Sequence, residues 1–236
     1  MDKQIAQLQD HIILCGIGRV GMQIAAELYR SQESFVVVDQ NHEELERLRR
    51  LGDILYVRGD ATRDETLRLA GIERAKGLIA ALSDDKENSF VVLSARSLNA
   101  NLRIVARLVE EENAEKLRRV GANEVVSPNT IGGVRMASMM VRPAVIEFFD
   151  EVLNVSGHKL GLEEVQITTR SPLNGKTLRE AAIGREVGLL VVAIRSHQGK
   201  YQFNPSAQTQ LSSGDILIVI GTPEQLASLS KINSNE

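Results

Sequence analysis

A glycine-rich turn near the start of the chain has the residue types and spacing of a phosphate-binding loop. Gly16, Gly18 and Gly21 fit the pattern GxGxxG, directly after the apolar run IILC and ahead of a helix-forming segment. The first glycine permits a tight turn, the second lets a phosphate approach the backbone, and the third lets helix and strand pack closely. The helix N-terminus would then bind the phosphate of a mono- or dinucleotide. The predicted loop also includes the residues between the glycines, which are Ile17, Arg19 and Val20.

Two aspartates at the ends of the next two predicted strands extend this site. Asp39 ends the run SFVVVD, 18 residues after Gly21, where an acidic residue binds ribose hydroxyls. A carboxylate there also repels a 2′-phosphate, so NADP is disfavoured. Helix capping ahead of QNHEEL is the alternative interpretation of Asp39. Asp60, in RGDATRDETL, ends the following strand beside the same cleft.

The same pattern suits an oxidoreductase, which uses the nucleotide as a reactant, or a sensor, which uses it as a signal. The chain has four histidines, which are His11, His42, His158 and His197. None of them follows a strand in the second half of the predicted sheet, where a hydride-transfer partner is expected. We therefore favour a sensor without catalysis and keep an NAD-dependent oxidoreductase as the alternative.

Composition and charge argue against several other classes of function and site. The 236 residues carry a formal net charge of −3 and only 3% aromatic residues, with no tryptophan, which argues against nucleic-acid binding. Cys15 is the only cysteine, so an intramolecular disulfide and a multi-cysteine metal site are excluded. No apolar run approaches the ~18 residues that span a bilayer. The N-terminus does not resemble a signal peptide, so we expect a cytoplasmic chain whose membrane role requires a partner or a further segment.

Six short apolar runs precede residue 129 and alternate with helix-length segments. They lack polar alternation, which is typical of parallel strands covered on both faces. This alternation predicts an α/β domain with a doubly wound, Rossmann-like parallel sheet. The helix HEELERLRRLG is expected to end at Gly52. The predicted strands lie in HIILCG, SFVVVD, DILYVRGD, GLIAALS, LRIVARLV and NEVVSP.

The segment TIGGVRMASMMVRPAVIEFFDEVL differs because apolar residues occur nearly all round its helical wheel. Pro143 should interrupt this helix. Such a helix is either buried between two lobes of one chain or packed on another subunit, and we favour the second interpretation. Beyond it, four shorter strands and small helices near 176–183 and 223–231 predict a small α+β module.

These motifs together resemble the RCK domain, the regulator of K+ conductance. The resemblance rests on GIGRVG, VVVD, GDATRDETLRLAGIERA, SDDKEN, IVARL and GANEVVSP with IGG, while SPLNGKTLREAAI and LSSGDILIVIG resemble its TrkA-C lobe. It implies a nucleotide-binding N-lobe at 1–130, interlobe crossover and dimerisation helices at 131–158, and a C-lobe at 159–236. Such domains bind nucleotides or metal ions, form dimers and often octameric rings, and gate potassium channels or transporters.

The resemblance also implies roles for individual positions. Gly16, Gly18, Arg19 and Gly21 match the phosphate loop. Asp39, followed by Gln40, matches the ribose acid, and Asp60 with Ala61 matches the adenine-side motif. Three further positions match the loop after the fourth strand and the fifth-strand motif: Ser83, Asp84 and Arg107. In LSDDKEN alone, Ser83 and Asp84 are more typical of a helix cap.

Two departures from the family pattern refine the expectation. Calcium-gated relatives carry acids in the fifth strand where this chain has Arg107 and Val109, so we expect no metal site of the calcium-gated kind formed by residues of this cleft. A metal carried by the phosphates of a bound nucleotide, or one in the C-lobe, stays open. Pro128-Asn129 replaces the Pro-Glu of many standalone transporter subunits, which favours the tail of a channel over a peripheral subunit.

The resulting expectation is a regulatory domain at the inner face of the cell membrane. Its expected cofactor is an adenine nucleotide, either NAD(H), AMP, ADP or ATP. Its expected partners are a second copy of itself, an octameric ring of copies, and a potassium-conducting pore, with no nucleic acid.

Overall fold

The computed structural model describes residues 2–153 and 161–234. It contains two compact units, Met1–Met136 and Ala137–Glu236, whose division falls inside a helix. Within the described residues, no helix has the length and apolar character needed to cross a bilayer.

The first unit is built on a six-stranded sheet whose strand pairs are all parallel. Its order, β3-β2-β1-β4-β5-β6, is the Rossmann order, which confirms the predicted fold. The direction of strand addition reverses between β1 and β4, where ligands bind in such sheets. The strands are β1 Ile12–Cys15, β2 Phe35–Asp39, β3 Leu55–Arg58, β4 Gly77–Ala80, β5 Arg103–Arg107 and β6 Glu124–Val126.

Apolar side chains of the central strands pack on both faces of this sheet. On β1, Ile13 and Cys15 belong to one buried cluster and Leu14 to the other. This explains why the central strands lack polar alternation. Burial raises the pKa of the Cys15 thiol, which keeps it protonated. The helices of this unit are α1 Asp2–Gln7, α2 Arg19–Arg30, α3 His42–Leu48, α4 Asp64–Leu69, α5 Asp85–Leu98 and α6 Ala114–Arg119.

The third helix ends earlier than its sequence predicts. Gly52 was expected to terminate it, but α3 ends at Leu48. The N–H groups of Arg50 and Leu51 bond three residues back, to Arg47 and Leu48, so tight turns replace the last helical turn.

The segment predicted as one apolar helix forms two helices. α7 spans Pro128–Val141 and α8 spans Pro143–Leu153, so the helix is interrupted immediately before Pro143, as expected. Large apolar side chains of both helices are exposed: Met140 is 86% exposed, and Phe148 and Phe149 are 49% and 47% exposed.

The second unit contains a four-stranded antiparallel sheet in the order β7-β10-β8-β9. Val165, Ile194, Leu217 and Val219 pack in its buried core. The predicted small α+β module is therefore confirmed. Its strands and helices are β7 Gly161–Gln166, α9 Leu178–Ala181, α10 Ile183–Glu186, β8 Leu190–Arg195, β9 Tyr201–Phe203, β10 Ile216–Gly221 and α11 Pro223–Ser234.

Candidate functional site

The glycine loop joins β1 to α2 and has a different steric requirement at each glycine. Gly16 has φ +93°, and a Cβ there would lie 2.9 Å from the backbone of Ala81. A Cβ on Gly21 would lie 2.0 Å from the Gly16 carbonyl oxygen. Gly18 has nothing within 4 Å of its Cβ position and is the N-cap of α2. The loop is therefore closed at its first and third glycines and open at the second, where a phosphate can approach.

Asp39 holds this loop in place. Its Oδ2 accepts a hydrogen bond from the Ile17 N–H at 2.7 Å, and its Oδ1 accepts one from the Asn41 N–H at 2.7 Å. The helix-cap alternative for Asp39 does not apply, because the N-cap of α3 is Asn41, which accepts from the Glu43 N–H. A carboxylate has about four acceptor positions, so Asp39 can still accept hydrogen bonds from a ligand.

Asp60 follows β3 and accepts hydrogen bonds from Thr62, two residues along the chain. Its Oδ1 accepts from the Thr62 hydroxyl at 2.7 Å and from the Thr62 N–H at 2.9 Å. These bonds lower the pKa of Asp60, so it is a carboxylate at neutral pH. Arg63 Nε lies 3.8 Å from Asp60 Oδ2.

The structure brings the two aspartates to one cleft at the carboxyl edge of the sheet. The residues after β2 and β3 line this cleft together with residues beside β4 and on α5. The lining includes Asp39, Gln40, Asp60, Ala61, Leu82 and Glu87. Arg19 and Val20 lie apart from this lining, in the first turn of α2, and Arg19 is exposed.

The residues predicted around the fourth and fifth strands have different roles in the fold. Asp84 is the N-cap of α5 and accepts from the N–H groups of Lys86 and Glu87, whereas Ser83 is exposed ahead of the cap. Arg107 ends β5 and donates from Nη1 to the carbonyl of the cleft residue Leu82 at 3.2 Å. Within the described residues, Arg107 Nε is buried and has no hydrogen-bond partner. Such an orphaned donor suits an anionic ligand.

Two buried polar residues were missed by the sequence interpretation. Asn88 Oδ1 accepts a hydrogen bond from the Leu82 N–H at 3.0 Å, and Asn88 Nδ2 donates to the carbonyls of Leu82 and Arg107. Asp85 accepts from the N–H groups of Val109 and Glu110 at 2.8 and 2.9 Å. Both lie in LSDDKEN, and their polar character in an amphipathic helix gave no signal of burial.

The histidines do not converge on the cleft. His11 precedes β1 at the amino edge of the sheet, where it is buried and bonds to the Ala70 carbonyl at 2.8 Å, and burial lowers its pKa. His42 begins α3, His197 lies in the second unit, and His158 lies outside the described residues. Within the described part of the chain, no three acid, histidine or cysteine side chains cluster as metal ligands.

Two family models match most of this chain. The TrkA-N domain model matches residues 12–128, and the TrkA-C domain model matches residues 162–234. Probable potassium channel protein 2 of Methanocaldococcus jannaschii is 36% identical over 238 residues, which cover 98% of this chain and 69% of that protein.

Solved structures of the GsuK channel are also similar. The GsuK channel bound to NAD matches with a TM-score of 0.53 and 30% identity, over 97% of this chain and 39% of that chain. GsuK bound to ADP matches with a TM-score of 0.50 and 30% identity, over 56% of this chain and 35% of that chain. This chain therefore spans well under half of the GsuK chain.

Proposed function

The chain belongs to the RCK family of potassium-channel proteins, with a TrkA-N and a TrkA-C domain, and from that membership we propose that it is a nucleotide-sensing regulatory domain. In this proposal an adenine nucleotide binds in the first unit and changes the conductance of a potassium pore. The binding is a signal, and the chain carries out no reaction on the nucleotide.

One observation carries the proposal. The glycine loop, Asp39 and Asp60 meet at the carboxyl edge of β1, β2 and β3, and Gly18 leaves the helix N-terminus open to a ligand. This edge is where doubly wound sheets bind nucleotides. NAD and ADP in the similar GsuK structures support an adenine nucleotide as the ligand.

Each part of a nucleotide has candidate residues. The phosphates would lie at the α2 N-terminus, whose first N–H groups have no partner within the helix, with Arg19 as a nearby cation. Asp39 would accept hydrogen bonds from ribose hydroxyls, and Gln40, Asp60 and Ala61 would contact the adenine side. A bound nucleotide supplies negative charge and a rigid base to this cleft.

Arg107 fits the same ligand on electrostatic grounds. Asp39, Asp60 and Glu87 make the cleft acidic, and phosphates need cations to offset that charge. The guanidinium of Arg107 lies beside Leu82, and its buried Nε has a free donor. A phosphate oxygen would form a charge-assisted hydrogen bond there.

Calorimetry on protein stripped of bound ligand tests the proposal. Titrations with NAD, NADH, AMP, ADP and ATP should give saturable binding of at least one of them. No binding of any of them at millimolar concentration contradicts the proposal. Oxidation of NADH with carbonyl compounds would instead identify an oxidoreductase, because a sensor binds without turnover.

We propose that the exposed apolar side chains of α7 and α8 pack against a second copy of the chain. Met139, Met140, Phe148 and Phe149 leave much of their apolar surface in water in a single chain. Burying that area stabilises a dimer by about 25 cal/mol per Å2. Light scattering tests this: a monomer at micromolar concentration contradicts it.

Gating needs more than one bound nucleotide. One coupled site supplies about 1–3 kcal/mol, whereas moving a two-state equilibrium from 1:99 to 99:1 needs about 5.5 kcal/mol. A ring of copies, which we propose to be octameric, adds several sites. A ring requires a second contact surface, and Leu69 on α4 with Phe90 and Leu93 on α5 supplies exposed apolar side chains for it.

We place this domain in the cytoplasm, at the inner face of the membrane that holds the pore. The sequence of the full gene tests this proposal, because a pore-forming segment upstream in the same reading frame identifies the domain as the tail of a channel. Its absence there identifies a subunit of a separate transporter.

A further inference from the structure

The start of α5 is bonded to the segment that follows β4 and to the segment that follows β5. Asn88 is fully buried and bonds to Leu82, which lines the cleft, and to the carbonyl of Arg107. Asp85, nearly one turn earlier, accepts hydrogen bonds from the segment that follows β5. The cleft wall and the segment after β5 are therefore attached to the same helical turn.

Asp85 fixes the segment after β5 with three hydrogen bonds. The donors are the N–H groups of Val109 and Glu110 and the Nδ2 of Asn113, which is 3.0 Å from Asp85 Oδ2. Burial favours the neutral acid, but these donors and the charge of Arg107 together lower the pKa of Asp85. Asp85 is therefore a carboxylate, and the positive charge of Arg107 is one of the groups that act on it.

The segment after β5 is bonded in turn to α7. The tight turn Glu111–Asn113 presents Glu111, whose Oε1 accepts from the Thr130 hydroxyl at 2.6 Å. Thr130 lies in the first turn of α7, where its N–H bonds to Ser127 Oγ at 3.3 Å. A hydrogen-bonded chain therefore runs from Arg107 and Leu82 at the cleft to the start of α7.

We propose that this chain, from Asp85 through the Glu111–Asn113 turn to Thr130, transmits nucleotide occupancy from the cleft to α7. The inference rests on the proposed function, because a nucleotide must first occupy the cleft. A phosphate that binds Arg107 changes the charge facing Asp85, and the turn and Thr130 respond together. Asp85, Glu111 and Thr130 are positioning residues that need no contact with the ligand.

Thr130→Val tests this step because it removes the hydroxyl at an exposed position and preserves the shape of the side chain. The full chain is used, with NAD and ADP as probes. Calorimetry gives the nucleotide Kd. Amide hydrogen exchange gives the exchange rates of residues 128–136, at the start of α7, with and without saturating nucleotide. Thr130→Ser keeps the hydroxyl, and Glu112→Gln alters the neighbouring glutamate of the same turn as the matched control.

In the wild type, saturating nucleotide should change exchange in 128–136 by about fivefold or more, the lower end of typical couplings. Thr130→Ser and Glu112→Gln should keep this response, and Thr130→Val should lose it with an unchanged Kd. The relay is overturned if Thr130→Val keeps the response, if Glu112→Gln loses it, or if nucleotide binds the wild type without changing α7. Absence of nucleotide binding is a different result, which overturns the proposed function and the relay with it.

Discussion

The proposed nucleotide cleft and the helices α7 and α8 differ in how far their side chains find partners inside one chain. At the cleft, Asp39 and Asp60 are each bonded to backbone N–H groups of their own unit. On α7 and α8, apolar side chains such as Met140 and Phe148 remain exposed to water. We therefore expect the cleft to bind its ligand in a single chain, and we expect the apolar helices to be covered only in the proposed assembly.

The largest expected effect is on assembly. Phe148→Asp should raise the dimer dissociation constant by ~100-fold or more. A two-fold interface contains the residue twice, and burying each phenylalanine contributes about 1.5–3 kcal/mol. Sedimentation across a concentration series measures the constant. Phe90→Asp, at a comparably exposed aromatic on α5, is the matched control and should leave the dimer intact. A dimer unaffected by Phe148→Asp would place the interface elsewhere.

The next largest effect is on nucleotide affinity. Gly18→Val should weaken binding ~10–100-fold, because it blocks charge-assisted hydrogen bonds from the backbone worth about 1.5–3 kcal/mol. The fold should tolerate it, since Gly18 has open space and an ordinary φ of −63°.

Gly21→Ala provides the contrast, because its Cβ would meet the Gly16 carbonyl oxygen and should lower the free energy of unfolding. Calorimetry and urea unfolding on both variants separate the two effects. Wild-type affinity in Gly18→Val would show that phosphate does not approach this position.

A smaller change is expected at the ribose. Asp39→Asn keeps an acceptor for the Ile17 N–H but removes the negative charge. NAD affinity should fall about three- to tenfold, since hydrogen bonds to charged groups are stronger by about 1 kcal/mol. NADP affinity should fall less, because repulsion of its 2′-phosphate is also removed. Titrations with both nucleotides check this, and an unchanged NAD-to-NADP ratio would show that Asp39 does not face the ribose.

The smallest expected effect is that of calcium. Calcium needs six to eight oxygen ligands, whereas Asp60 Oδ1 already accepts two hydrogen bonds and the fifth strand offers Arg107 in place of an acid. Millimolar calcium should leave the nucleotide-free protein unchanged in calorimetry. Calcium binding that disappears in Asp60→Asn would contradict this prediction.

These contrasts also explain what the sequence could predict. Apolar runs predicted the six strands, and their alternation with helix-length segments predicted the doubly wound Rossmann sheet. The GxGxxG spacing likewise placed the closed and open glycines of the loop. Both patterns depend only on residues that are close together in the chain, so they can be interpreted without knowledge of the tertiary structure.

Polar contacts between distant segments could not be predicted in this way. In LSDDKEN, the sequence indicates that Asp84 caps a helix, as it does in α5, but gives no sign that Asp85 bonds to partners 24 residues or more along the chain. The end of α3 at Leu48 was not predicted, because Gly52 is the stop signal in the sequence and the tight turns that end the helix lie ahead of it in the chain. The choice of partner by a polar group depends on tertiary structure.

Nucleotide binding by the Phe148→Asp monomer tests most directly whether the cleft is complete in one chain. Calorimetry with NAD and ADP, on stripped protein, should show one site per chain with a Kd within about tenfold of the wild-type dimer. That margin allows for coupling between the cleft and α7. A monomer that binds neither nucleotide, while the dimer binds one, would show that the site needs a second chain and would contradict this division of the molecule.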